Sequence, residues 1–389
     1  MNQIANFPTQ SLSFTVPSDV EHVLPISEDY EQVNAWLNTY AMSSPETQRA
    51  YLKEAKRFMR WLEYTGKNIK DLKKEDATAY LHFLASPPSD WIALPHSNVS
   101  DLNGYFRLLK SDGLSAESIN YTNRVLRQLF DWLRDDTYVS RNVFRLSHKA
   151  AAPQLTTQER YLDLDAWQWL WHEIINLENT ATSASDCKKS TRIRWIFALL
   201  YHTGLRCSEA ANAKMNDFIF KRNYLQLKVK GKGKKIRMIA VNSELRKELI
   251  RYRRANPSIF IGDLPGSAES VPVIRSLRQK MTYKKRQVVD LNPGITSRQL
   301  CSLIRTTVDS LVRNCKNEGI RIQIEKMTVH WMRHTNGTHR VMAGSSLLTV
   351  QDELGHSDPK TTRIYAKTID DQRQTDAEKL ATLSQRDIK

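Results

Sequence analysis

Arg206, Lys232, His330, Arg333, His356 and Tyr365 are the side chains in this sequence whose types and spacing carry the most chemistry. His330-Trp331-Met332-Arg333-His334 sets an imidazole and a guanidinium three residues apart, which on a helix places them on one face. Leu354-Gly355-His356-Ser357 brings a second histidine after a glycine-marked turn, and Tyr365 follows nine residues later. Upstream, His202-Thr203-Gly204-Leu205-Arg206-Cys207-Ser208-Glu209 supplies another arginine, and Gly231-Lys232-Gly233-Lys234-Lys235 a lysine between glycines. Cleaving a phosphodiester takes a nucleophile, charge neutralisation at the pentavalent transition state and a proton for the leaving oxygen. A tyrosine, two arginines, a lysine and two histidines cover those tasks through a phosphotyrosine. Guanidinium forks match phosphate oxygens, and preorganised charge of this kind is usually the largest catalytic term. No acidic cluster of metal-site type lies near the motifs, so arginine is expected to do what Mg²⁺ does elsewhere. No metal and no cofactor is expected.

Each residue alone also has an ordinary reading. Arg206 can pair with Glu209 at i+3, and Arg333 can sit on a surface helix. Lys232 has Lys230, Lys234 and Lys235 as neighbours, His356 can cap a helix or pack in a core, and Tyr365 can be a core tyrosine beside Ile364. The joint order and spacing carry the argument. T-G-L-R-x-S-E, G-K-G-x-K-x-R, H-x-x-R-H and L-G-H-S followed by Tyr together resemble the tyrosine site-specific recombinases, the phage-integrase or lambda-integrase-like family. The resemblance covers about residues 160 to 370.

That resemblance implies roles. Tyr365 attacks the scissile phosphorus to give a 3′-phosphotyrosyl link and a 5′-hydroxyl, and rejoining needs no ATP. Arg206 and Arg333 clamp the non-bridging oxygens, Lys232 protonates the 5′-oxygen, and His330 and His356 hydrogen-bond the phosphate. Glu209 and His334 orient the arginine and the histidine. Asn336 and Gly337 depart from the family pattern, which favours small or apolar helix formers there; glycine costs roughly 1 kcal/mol in a helix. The implied partner is double-stranded DNA, held by a homo-tetramer in the synaptic complex (monomer or dimer off DNA), with a possible accessory directionality factor. The implied role is integration, excision or transposition of a mobile element. A type IB topoisomerase-like relaxase and a catalytically inactive DNA-binding accessory protein are the alternatives.

Composition agrees with a polyanionic partner: Lys plus Arg is 58 against 42 for Asp plus Glu, a formal charge of +16. Cys187, Cys207, Cys301 and Cys315 are scattered, with no C-x-x-C pair, and read as free thiols of a reducing compartment. Met1 to Leu24 lacks a signal-peptide pattern, and no stretch approaches the roughly 18 apolar residues that span a bilayer. A cytoplasmic, nucleoid-associated protein without a membrane partner is expected.

The elements that must position these residues point to a mainly α chain with a small β-hairpin or sheet. At 389 residues two domains are the default. Residues 1–27 read as a flexible arm, 28–149 as a helical core-binding DNA-binding domain, 150–160 as a linker and 161–389 as an α+β catalytic domain with a C-terminal tail helix. In the first domain helices are predicted around Val33–Tyr40, from Ser44-Pro45 to Gly66, over Ala77–Leu84, over Val99–Leu109 and from Ser115 to Leu133. In the second, Asp163 caps a Trp-rich helix and a buried helix through Ile193–Leu200 ends at Gly204. The period then falls to 2. Leu225, Leu227 and Val229 alternate with polar residues, and Ile236, Met238 and Ala240 do so beyond the Gly-Lys-Gly turn, a two-stranded hairpin. Leu245–Ala255 and Leu300–Cys315 are helical, whereas 262–296 has no period and reads as a surface insertion. Ala377, Leu380 and Leu383 stand at helical spacing; the resemblance implies a tail helix that docks on a neighbouring protomer, and a frayed C-terminal helix is the alternative.

Overall fold

A computed structural model describes residues 24–92, 109, 113–145, 160–231, 235–277, 280–281, 288–290 and 294–355, with the backbone alone at 24–27, 90, 280–281 and 288–290. The chain divides into two compact units, 1–157 and 158–389. The helix predicted over Val99–Leu109 lies outside the described residues except at Leu109, where the chain instead makes a β bridge to Ile92. The linker, except Arg160, and the tail helix lie outside them.

Among the described residues four α-helices build the first unit: α1 Leu24–Asn38, α2 Pro45–Thr65, α3 Lys74–Ala85 and α4 Ala116–Asp135. α1 starts inside the stretch expected to be arm. Pro45 opens α2 in the position where its missing N–H costs nothing, although the Ser44 hydroxyl meets Thr47 Oγ1 at 2.6 Å rather than a helix amide. Gly66 ends α2 at φ 65°. Phe58 is the hub of the apolar core, with Trp61, Tyr80, Phe130 and Phe144 rings around it.

The second unit contains α5 Leu164–Asn179, α6 Ala184–Thr203, α7 Cys207–Asn212, β1 Phe218–Lys221, β2 Tyr224–Lys230, β3 Ile236–Ala240 and α8 Ser243–Arg254. Then follow β4 Lys280–Met281, β5 Val288–Asp290, α9 Ser297–Leu311, α10 Glu318–Lys326, α11 Val329–Met342 and α12 Leu347–Leu354. Trp195 through Leu200 of α6 are all buried, so this helix is the apolar axis on which α5, α8 and α11 pack.

Three sequence expectations change. The hairpin gains a third strand, because β1 pairs with β2 in the register Phe218↔Leu227 to Lys221↔Tyr224. Its turn is Arg222-Asn223, both at positive φ (49° and 70°), the geometry that a two-residue hairpin turn demands. On β3 the inward face carries Arg237 and Ile239, paired with Val229 and Leu227, while Ile236 and Ala240 face solvent and Met238 lies on that same outer side. The 262–296 segment is not simply a surface insertion. Val273 and Ile274 are buried, Met215 and Asn216 donate N–H bonds to the Val271 and Glu269 carbonyls, and Trp195 Nε1 donates to Val273 O at 2.9 Å. Backbone pairing with 213–216 needs no side-chain period, which is why none is visible.

Asp163 also acts differently from its expected cap. Its carboxylate accepts from Gln323 Nε2 at 2.8 Å and its N–H donates to Gln323 Oε1, so it ties the start of α5 to α10. The neighbouring Leu162 is gripped by α11 at both backbone groups: its N–H donates to Thr335 Oγ1 at 3.0 Å and its carbonyl accepts from His339 Nε2 at 2.9 Å. Because Nε2 must carry the proton, Nδ1 is the acceptor for the Tyr201 hydroxyl at 3.0 Å. Tyr201 in turn stacks on Trp167, ring centroids 3.8 Å apart.

Burial pushes the His339 pKa down, so the neutral imidazole is the native form. Its contribution to stability is therefore complete above the unfolded value of about 6.5 and is lost as pH falls below it. His339→Gln keeps a donor for Leu162 but does not titrate. Thermal melting followed from pH 7 to pH 5 is expected to fall more shallowly for the variant than for the wild type; equal slopes would remove His339 from the account.

Candidate active site

Arg333 projects from α11 into the interior, its side chain almost fully buried. Nη1 donates to Gly204 O at 2.8 Å and Nη2 to Leu354 O. Both carbonyls lie where a helix has just ended: Gly204 caps α6 at φ 60°, and Gly355 caps α12 at φ 65°. Helix C-termini present unpaired carbonyls and partial negative charge. The buried guanidinium is therefore solvated by two helix ends instead of water.

Arg206, with 39% of its side chain exposed, reaches the same place from the start of α7. Its Nη2 donates to Gly355 O at 3.0 Å and its Nη1 to Glu209 Oε1 at 2.9 Å. The ordinary pairing with Glu209 and the approach to the motif residues thus coexist. Glu209 Oε2 also accepts the Arg206 backbone N–H at 2.8 Å.

A third arginine completes the arrangement. Arg237 on β3 donates Nε to Glu353 O at 2.7 Å and grips Glu209 with both Nη atoms, at 2.9 and 2.7 Å. Glu353, Leu354 and Gly355 therefore give their consecutive carbonyls to Arg237, Arg333 and Arg206 respectively. Burial opposes ionisation of Glu209, but the Arg237 guanidinium and the Arg206 amide outweigh it and hold the carboxyl at about 2.

His330, one turn before Arg333, meets His334 Nε2 to Nε2 at 3.0 Å with the rings edge to face. Burial, helped by the positive charges of Arg333, Arg160 and Arg206, lowers the His330 pKa, which makes its neutral form the native one at pH 7.

Lys232, His356 and Tyr365 lie outside the described residues. Their chain neighbours are placed. Gly231 donates to Lys235 O at 2.8 Å, closing the base of the β2–β3 hairpin, and a Cβ on Gly231 would come within 3.3 Å of Arg237 Nη1. Gly355 immediately precedes His356. Of the predicted residues the described structure joins Arg206, Glu209 and Arg333 around one helix end, with His330 and His334 on the same α11.

Two further residues matter. Arg237 stood in the quoted G-K-G-x-K-x-R motif without a role, and its signal was a charge at an inward strand position. Asn336, a departure from the family pattern, donates Nδ2 to Tyr201 O at 2.6 Å, taking up a carbonyl of the last turn of α6. A buried polar residue there satisfies a helix end that an apolar one would leave orphaned.

Residues 172–372 match the phage integrase family. The chain is 24% identical over 357 residues to a tyrosine recombinase of Thermosipho africanus, covering 88% of this chain and 96% of that protein. It is 27% identical to tyrosine recombinase XerS of Streptococcus thermophilus, covering 90% and 97%. Among solved structures, XerH bound to a palindromic difH substrate superposes with TM-score 0.55 at 17% identity over 93% of this chain and 90% of that one. The Tn1549 transposon integrase bound to transposon right-end DNA gives 0.56 at 17% identity, covering 90% and 99%. These likenesses establish the mainly helical fold with its small three-stranded sheet. Among the described residues no helix is long and apolar enough to cross a membrane.

Gly204→Ala tests the convergence of α6, α11 and α12. A Cβ there would lie 2.5 Å from Leu354 Cδ2 and 2.8 Å from Asn336 Oδ1, at a positive φ. Urea unfolding is expected to show a loss on the order of 1–3 kcal/mol or more. Glu209→Gln removes the anion between two guanidinium groups and is expected to cost on the order of 3 kcal/mol by the same measurement. A loss below about 0.5 kcal/mol, the level of an ordinary surface change, would contradict the assigned role.

Proposed function

The chain belongs to the phage integrase family of tyrosine recombinases, and from that premise we propose that it cleaves and rejoins DNA strands at the ends of a mobile element, with Tyr365 as nucleophile. The observation that carries the site assignment is the meeting of Arg206, Arg237 and Arg333 on the three carbonyls that precede His356. Arg206 and Arg333 neutralise the non-bridging phosphate oxygens. A guanidinium has five N–H donors, so the same group can be fixed to the helix end and face an anion. Arg237 and Glu209 are positioning residues that hold Arg206 in place. Lys232 donates the proton to the departing 5′-oxygen, a contribution typically of ~10²–10⁴ in rate. His330 and His356 hydrogen-bond the phosphate, His330 in its neutral form. Cations near Tyr365 lower the cost of forming its phenolate, whose unperturbed pKa is about 10.

In this reading the first unit is the helical core-binding domain, and the excess of basic residues provides the steeply salt-dependent phosphate contacts of duplex binding. The relatives' printed names support a mobile-element role only in part, since they include Xer recombinases as well as a transposon integrase. Assembly follows the same analogy: the chain acts as a homo-tetramer on two DNA sites, with the C-terminal tail docking on the next protomer.

A suicide duplex carrying a candidate element end, nicked so that the cleaved 5′ fragment diffuses away, tests the mechanism. The wild type is expected to form a covalent protein–DNA band on a denaturing gel in the presence of a chelator. Tyr365→Phe is expected to bind the duplex equally and form none. A band that survives in Tyr365→Phe would sink the assignment of the nucleophile. Arg333→Lys, which replaces a planar fork with a point charge, is expected to slow formation of the band by about 10²–10³. Relaxation of supercoiled plasmid lacking any element end would favour the type IB topoisomerase alternative.

A further inference from the structure

Beside Arg206 lies a feature that the cleavage chemistry does not use. Cys207, the first residue of α7, has its sulfur 3.1 Å from that of Cys301 on α9 and donates to Ser297 O at 3.2 Å. Cys301 is exposed and Cys207 half-buried. The other two cysteines engage only backbone carbonyls, Cys187 that of Ala181 and Cys315 that of Asn317, both at 3.4 Å. Two thiols this close, one open to solvent and one behind it, are the arrangement of an attacking and a resolving cysteine.

We propose that Cys207 and Cys301 form a redox-modification site for hydroperoxides, in which closure of a reversible disulfide displaces Arg206 and switches strand cleavage off. The exposed Cys301 thiolate attacks the terminal peroxide oxygen, and the O–O bond breaks. For hydrogen peroxide this yields a sulfenic acid on Cys301 and hydroxide. The Cys207 sulfur then attacks the sulfenic sulfur, the S–O bond breaks, and the hydroxyl leaves with the Cys207 proton as water. In sum, two thiols and one peroxide give one disulfide and two waters. Burial and the contact with Cys301 push the Cys207 thiol up to about 12, which excludes it as the thiolate that meets the peroxide first.

A disulfide bond is about 2.05 Å long, so the sulfurs must close by about 1 Å from their present separation. Cys207 opens a six-residue helix capped by Arg206, whose backbone N–H is held by Glu209. A displacement on the order of 1 Å at a catalytic group can cost about 10²-fold in rate. This consequence for cleavage rests on the recombinase reading above; the pairing of the two cysteines does not.

The test uses the full chain, treated with hydrogen peroxide and alkylated, then digested without reductant for peptide mass spectrometry. A peptide linking Cys207 to Cys301, absent after reduction and absent in Cys301→Ser, is expected. Parallel suicide-duplex assays are expected to show cleavage falling about 10- to 100-fold on oxidation and recovering with dithiothreitol. Cys301→Ser is expected to cleave like the reduced wild type and to resist peroxide, whereas Cys187→Ser retains the switch. Conversion of Cys301 to sulfinic acid without the linked peptide would overturn the pairing, as would links to Cys187 or Cys315. A linked protein that cleaves at full rate would overturn the coupling to Arg206. Absence of cleavage in the reduced wild type would count against the recombinase reading instead, and the peptide map alone would then uphold or overturn the pair.

Discussion

Positive charge crowded at one point is the constraint around which the second unit is organised. Arg206, Arg237 and Arg333 converge within hydrogen-bonding reach of three consecutive carbonyls, with the single carboxylate of Glu209 among them. Three guanidinium groups so placed repel one another, and the helix ends and Glu209 compensate among the described residues. Glu209 is the carboxylate that Arg206 and Arg237 share; burial opposes its ionisation, and the two arginines hold it as an anion.

Meeting that constraint shapes helices far from ordinary core composition. α11 buries Arg333, His334, Thr335, Asn336 and Thr338 in succession, a run that apolar periodicity would forbid. Arg333, Thr335 and Asn336 each answer to a specific backbone group: Arg333 to Gly204 and Leu354, Thr335 to Leu162, Asn336 to Tyr201. The helix thus works as a polar spine that accepts or donates where neighbouring elements terminate, while α6 supplies the apolar mass against which it packs. Burying polar groups is tolerable here because the partners are fixed in advance.

Much of this was legible in the sequence, and the parts that were not have physical reasons. Gly204 marked a left-handed helix end and Gly355 a turn because glycine takes that backbone without a Cβ penalty, and Pro45 marked the start of α2 through its fixed φ and missing N–H. The spacing of His330 and Arg333 identified one helix. By contrast, β1 was hidden because Arg222-Asn223 is not among the strong hairpin-turn pairs, although both residues take positive φ. The inward face of β3 was misread because Arg237 occupies a position that alternation reserves for an apolar side chain. The core role of 271–274 was missed because its few apolar residues, buried Val273 and Ile274 among them, are too short a run to show a period and are held by backbone bonds to 213–216. Asn336 looked like a defect of helix composition, yet its partner is a carbonyl more than a hundred residues away in the chain.

The acceptors at the end of α12 belong to the main chain, and that bears on how this site can change over generations. Exposed side chains of α12 such as Leu348 can drift while buried Val350 and Leu354 hold the helix and the carbonyls of Glu353, Leu354 and Gly355 stay where they are. Gaining or losing one residue in α12 is another matter. It would turn the helix end by about 100° and shift it about 1.5 Å. All three arginines would lose their acceptors together. Lineages descended from this chain should therefore vary on the exposed face of α12 and hardly at all in its length.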